Sequence, residues 1–149
     1  MRGLLMGGDD GAVGGVEALP FGVLVFVIGT LIIANAWGVV DAKLAVAGAA
    51  REAVRAYVEA PAHLDADSVG RAAAVRTLRT AGRTARDPAV TFDGRFARCA
   101  RVRATVAYAV PAVRLPWIRH MGTFVVRSTA SELVDPLRSG VPGEARCVS

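Results

Sequence analysis

From Ala18 to Val40 no residue carries a charge, and the run is long enough to cross a bilayer, for which a helix needs about 20 apolar residues. Past Asp41 the chain turns amphipathic without a break. Leu44, Ala47, Ala50, Val54 and Val58 recur at helical spacing, Arg51, Glu52, Arg55 and Glu59 fall between them, and no proline appears until Pro61. The pattern predicts one long helix over residues 12–60, suited to lipid in its first half and to water and protein in its second. Pro20 sits near the beginning of the run, where its missing N–H is least costly. The Gly11–Gly15 stretch is too glycine-rich to start a helix in water unless lipid or protein contacts enforce it.

Residues 61–67 read as a linker ending in the N-cap residues Asp65 and Asp67, and residues 68–82 as a second, shorter helix stopped by Gly82. Gly70 is out of place in its interior. After Asp87–Pro88 the period changes to two. Val90–Phe92 predicts a short strand, Asp93–Gly94 a tight turn, and the alternation of Arg101, Arg103, Thr105 and Ala107 with Val102, Ala104, Val106 and Tyr108 a half-buried strand. Residues 111–122, with two prolines, read as a loop that is conspicuously apolar at Leu115, Trp117, Ile118 and Met121, and Thr123–Ser131 as a further strand. The tail from Asp135 is turn-rich and lacks periodicity. The predicted fold is α+β: a long transmembrane-plus-amphipathic helix, a short second helix and a small antiparallel sheet of about three strands. The domain limits are a leader over 1–11, the helix over 12–60, the linker over 61–67 and a small α+β domain over 68–149.

Within the long helix, Ala34, Gly38, Ala42, Ala45 and Ala49 lie at spacings of four and three, a stripe of small residues on one face. Such a stripe permits close packing between helices in lipid, and in an alanine-rich chain it also arises as background. Asn35 either bonds to a neighbouring helix or to its own backbone. Trp37, with Asp41 and Lys43 beyond it, marks the water boundary. A cleavable signal has an apolar region of roughly 7–15 residues after a basic start. Here the run is longer, MRGLLMGGDDG is weakly basic and then acidic, and helix follows, so the pattern favours a retained span.

The net charge of +5 is unevenly placed: from Ala42 onward 17 Lys and Arg stand against nine acids. The arginines are scattered, without a dense run or an interleaved aromatic platform, so they read as a solvated basic surface and no nucleic-acid partner is expected. Lys43, Arg51 and Arg55 against Arg2 alone would, by the positive-inside rule, favour a cytoplasmic C-terminal domain, although the arginines stand on a continuing helix and the bias is small. Cys99 and Cys147 have no neighbours at metal-binding spacing. They permit one disulfide in an exported domain and two thiols in a cytoplasmic one. His63 and His120 lie in the linker and loop, no GxSxG or phosphate-binding glycine loop is present, and the chain reads as neither an enzyme nor a holder of metal or cofactor. Glu17, at the edge of the apolar run, is costly unless it is paired or held at headgroup depth.

Small residues, a glutamate, an apolar run and then a long amphipathic helix resemble the prepilin class. In particular, GAVGGVEALPFGVLVFVIGTLIIANAWGVVDAKLAVAGAAREAVRAY, with AGAAREAVRAY at residues 47–57 and TASELVDPLRSG at 129–140, is similar to the TadE/TadG-like proteins of tight-adherence (Tad) pilus systems. The resemblance covers residues 11–140. It implies a pseudopilin or minor pilin, processed by a prepilin peptidase around Gly11, Ala12 and Val13 and held in the membrane among other pilins and the Tad inner-membrane assembly platform. Glu17 matches the family glutamate that pairs with the new N-terminal amine of an adjacent subunit. Cleavage after Gly11 would make Glu17 the sixth mature residue, and cleavage after Ala12 the fifth, which is the family position. The resemblance also implies a cytoplasmic N-terminus and an extracytoplasmic C-terminal domain, where Cys99 and Cys147 would form a disulfide. The alternative from a different class is a single-pass, membrane-anchored extracytoplasmic binding module unrelated to pili.

Overall fold

Helix α1 runs without interruption from Val13 to Val58. The computed structural model describes residues 13–84, 86–113, 121–143, 146 and 147, with the backbone alone for 13–17, 112, 113 and 121. The helix takes in Gly14, Gly15 and Pro20, so the proline lies inside it rather than in its first turn and removes one i→i−4 hydrogen bond there. At the other end the helix stops two residues short of the sequence expectation. Glu59 and Ala60 continue as a turn, the Ala60 N–H donating to the Tyr57 carbonyl, before Pro61.

Two units divide the chain, one ending at Trp37 and one spanning Gly38–Ser149. In the first, no other described element packs on the helix. Its most apolar 18-residue stretch has a mean hydropathy of 2.4 and none of it is buried within the chain. Leu19, Phe21 and Phe26 are each at least two-thirds exposed. This helix is long and apolar enough to cross a membrane once.

The second unit contains the amphipathic part of α1, helix α2 (Ala66–Thr80) and three strands, β1 (Ala89–Asp93), β2 (Arg101–Val113) and β3 (Met121–Leu133). The strands form an antiparallel sheet in the order β1-β2-β3. The fold is thus α+β, as the hydrophobic pattern predicts. Alternation on β2 buries Val102, Ala104, Val106, Tyr108 and Val110 in one core with Val90 of β1 and Val126 of β3. Ala42, Val46, Ala49, Ala50, Ala53 and Val54 of α1 and Ala74 and Leu78 of α2 complete that core. One face of α1 from Ala42 to Val58 therefore packs within the domain, and the expected stripe is shifted: Leu44 is 68% exposed, while Val46, Ala49 and Ala53 take the buried positions.

Helix α2 starts two residues earlier than expected, because Asp65 is the cap: its Oδ2 accepts from the Ser68 N–H at 3.0 Å, and Asp67 falls in the first turn. At the other end Gly82, with φ of +72°, donates to the Arg79 carbonyl while Arg83 donates to the Leu78 carbonyl. These two bonds make a Schellman stop that only a residue tolerant of positive φ serves without strain. The helices run antiparallel. A Cβ on Gly70 would lie 2.9 Å from the Ala53 carbonyl oxygen, one on Gly48 would lie 3.9 Å from Thr77, and Arg83 reaches Asp41.

The sheet differs from expectation at the β2–β3 hairpin. Pro111 is not in a loop: it pairs with Thr123, and Val113 pairs with Met121, so both strands are 13 residues long. β1 begins at Ala89, opposite Ala107, which leaves one side of β2 unpaired by β1 at Pro111. A residue without an N–H is tolerated beside an open edge. The apolar residues Leu115, Trp117 and Ile118 lie outside the described residues.

Candidate functional site

The candidate site is α1 with the elements that fix its far end. Of the predicted processing residues, Gly11 and Ala12 lie outside the described residues and Val13 opens the helix. Glu17 lies within its first turns, and its side chain is outside the description. Two polar side chains of the span bond along their own helix. Thr30 Oγ1 donates to the Phe26 carbonyl at 2.9 Å and Asn35 Nδ2 to the Leu31 carbonyl at 2.8 Å. In lipid this local pairing meets the requirement that polar groups find partners.

The small-residue stripe is divided. Ala34 and Gly38 are exposed, and a Cβ added to Gly38 would meet nothing within 4 Å. Ala42 and Ala49 are buried in the domain core, and Ala45 is half-buried against it. The upper three positions thus pack the chain against itself, which leaves Ala34 and Gly38 as the part of the stripe open to a second helix. The sequence pattern could not separate the two uses, because small residues permit close approach to any partner.

Cys99 and Cys147 are joined by a disulfide, with 5.1 Å between their Cα atoms and a sequence separation of 48. Cys99 has φ of +60°, a conformation rare outside glycine. Its N–H donates to the Val134 carbonyl, and the Val134 N–H to the Ala100 carbonyl, so the residues after β3 continue to pair beside the start of β2.

Arg138, which periodicity does not mark, makes several contacts from the tail. Its guanidinium donates from Nη1 to the Val58 carbonyl and from Nη2 to the Ala60 carbonyl at 2.6 Å, and it lies 5.7 Å from the centre of the Phe96 ring. Its own carbonyl accepts from Arg98 Nε at 2.8 Å. The C-terminal end of a helix carries unsatisfied carbonyls and partial negative charge, so Arg138 caps α1 from 80 residues away in sequence. Beside it, Tyr57 stacks on Phe92 at 4.7 Å and meets Phe96 edge-on at 5.7 Å. Burial pushes the Tyr57 phenol above its ordinary pKa, with the Asp67 and Asp65 carboxylates adding to the shift. At the opposite end of the domain, Arg83 pairs with Asp41 at 2.5 Å.

Among the described residues no three His, Cys, Asp or Glu side chains gather in a way that would hold a metal ion. Comparison with protein-family models, with curated proteins and with solved structures gave no match.

Proposed function

We propose that this chain is a pseudopilin or minor pilin of a tight-adherence, type IV-like pilus or secretion system, acting by helix-mediated assembly rather than by catalysis. The observation that carries the reading is the division of labour along α1. A single helix of 46 residues supplies core packing to an α+β domain in its second part, while its most apolar stretch is not buried by any of the described residues. A helix built this way can rest in a bilayer and pass into a bundle of like helices without disturbing the domain it carries. Ala34 and Gly38 are the positions for close helix contact, and Glu17 is the carboxylate that would meet the N-terminal amine of a neighbouring subunit. That amine is made by prepilin peptidase around Gly11–Val13. The disulfide supports an extracytoplasmic domain, because such bonds persist in oxidising compartments.

Glu17→Ala tests the reading. A pilin role predicts that the variant accumulates in the membrane with its disulfide intact but no longer enters or primes a filament. Assembly unaffected by Glu17→Ala would overturn the role given to that carboxylate, and full function of the variant without any filament would favour the tethered binding module, for which the helix serves as an anchor alone.

A further inference from the structure

The C-terminal end of α2 stands beside the first charged residue after the apolar run. Arg83 Nη2 lies 2.5 Å from Asp41 Oδ2, and only 12% of the Arg83 side chain is exposed. The Schellman turn at Gly82 fixes this arrangement by holding the Arg83 N–H on the Leu78 carbonyl. Lys43 follows Asp41 by two residues, and Arg76 and Arg79 in the last turns of α2 and Arg86 just beyond Arg83 are all exposed. The acids here among the described residues are Asp41, already paired with Arg83, and Asp87, 3.9 Å from Arg79. Arg79 and Asp87 are 65% and 87% exposed, so water and salt screen their attraction. Five cations against two acids leave a surplus of positive charge at one end of the domain. The exposed cations add nothing to the core, and the glycine turn already closes α2.

We propose that this end of the domain docks on anionic phospholipid headgroups at the surface of the membrane that α1 crosses, an inference that rests on reading α1 as a span. Asp41 follows Val40, the last residue of the apolar run, and a helix rises about 1.5 Å per residue. Asp41 and Lys43 therefore lie within about 5 Å of the end of that run. The headgroup region extends roughly 5–8 Å beyond the hydrocarbon on each side, so the Arg83–Asp41 pair stands at its depth. Guanidinium groups present forked donors that match phosphate oxygens. Charge complementarity thus selects one occupant, the phosphodiester of an anionic lipid, with Arg79 one turn before Arg83 and Arg86 three residues after it as its exposed cations.

The test uses the full chain in bilayers, with Trp117 replaced by Phe so that Trp37, four residues before Asp41, is the single tryptophan. Quenching of Trp37 by brominated phosphatidylglycerol is compared with quenching by brominated phosphatidylcholine. One cation near an anionic surface is worth about fivefold in association. The expected result is a preference of about fivefold or more for the anionic lipid at low salt, falling toward none at high salt. Arg79→Gln with Arg86→Gln, both on exposed side chains, should remove most of it while leaving the thermal unfolding of the domain unchanged. Equal quenching by the two lipids at low salt, or a preference that the double variant retains, would overturn the proposal. Failure of either lipid to quench Trp37 would overturn the span reading itself, and this docking with it.

Discussion

Gly70 of α2 packs against the backbone of Ala53 in α1 so closely that a Cβ at residue 70 would lie 2.9 Å from the Ala53 carbonyl oxygen and 2.5 Å from Cζ of Phe92. The phenyl ring can shift, but the carbonyl belongs to a continuous helix and cannot. An alanine in place of glycine normally stabilises a helix by about 1 kcal/mol. Here the steric term wins and the sign reverses. Gly70→Ala should lower stability by about 1–3 kcal/mol in urea unfolding of the solubilised protein followed by circular dichroism. Gly48→Ala, whose nearest neighbour would be Thr77 at an ordinary 3.9 Å, should be neutral or stabilising in the same assay.

Arg138 joins the tail to the end of α1 through the Val58 and Ala60 carbonyls. Arg138→Ala leaves both carbonyls without that donor and should destabilise the domain by about 2 kcal/mol, the usual size for hydrogen bonds from a charged group. Arg138→Lys should recover part of the loss, because an ammonium keeps the charge and lacks the fork. Hydrogen exchange would locate the effect, with faster exchange at the last turn of α1 and unchanged exchange at the start of α2.

The Cys99–Cys147 bond closes a loop of 48 residues, which in the chain-entropy model stabilises by about 4 kcal/mol. Reducing agent should lower the melting temperature of the native protein and have no effect on Cys147→Ser, which should already melt at the lower temperature. Identical melting with and without reductant in the native protein would show that the crosslink does not stabilise the fold.

The buried phenol of Tyr57 has a raised pKa, so the native state holds its proton to higher pH than the unfolded chain does. Stability from this group is full below the unfolded value of about 10 and is lost as pH rises through the folded value. Tyr57→Phe keeps the ring contacts with Phe92 and Phe96 and removes the proton. The variant should lose less stability than the native protein when denaturant midpoints are compared above pH 10 with those near neutrality.

These residues also show where sequence reasoning reaches its limit. The α+β order, the unbroken helix and the inward face of β2 follow from apolar periodicity, which records burial directly. Gly70 reads as a defect in a helix because its cause, the Ala53 carbonyl, comes from another element. Pro111 reads as a loop residue because the open side of β2 depends on where β1 begins, at Ala89 opposite Ala107. The tail reads as formless because its order comes from Arg138, Cys147 and the Val134 backbone, each held by a residue distant in sequence. Likewise the stripe from Ala34 to Ala49 is visible as small residues, but its division between own-chain and open positions depends on where the domain sits along α1.

A processed, pilin-like α1 has a shortened N-terminus, and its mass is the measurement that decides. Protein extracted from membranes of cells with an active prepilin peptidase should begin at Ala12 or Val13, and the same protein from peptidase-deficient cells should retain Met1. An intact Met1 in the peptidase-positive cells would rule out processing of α1.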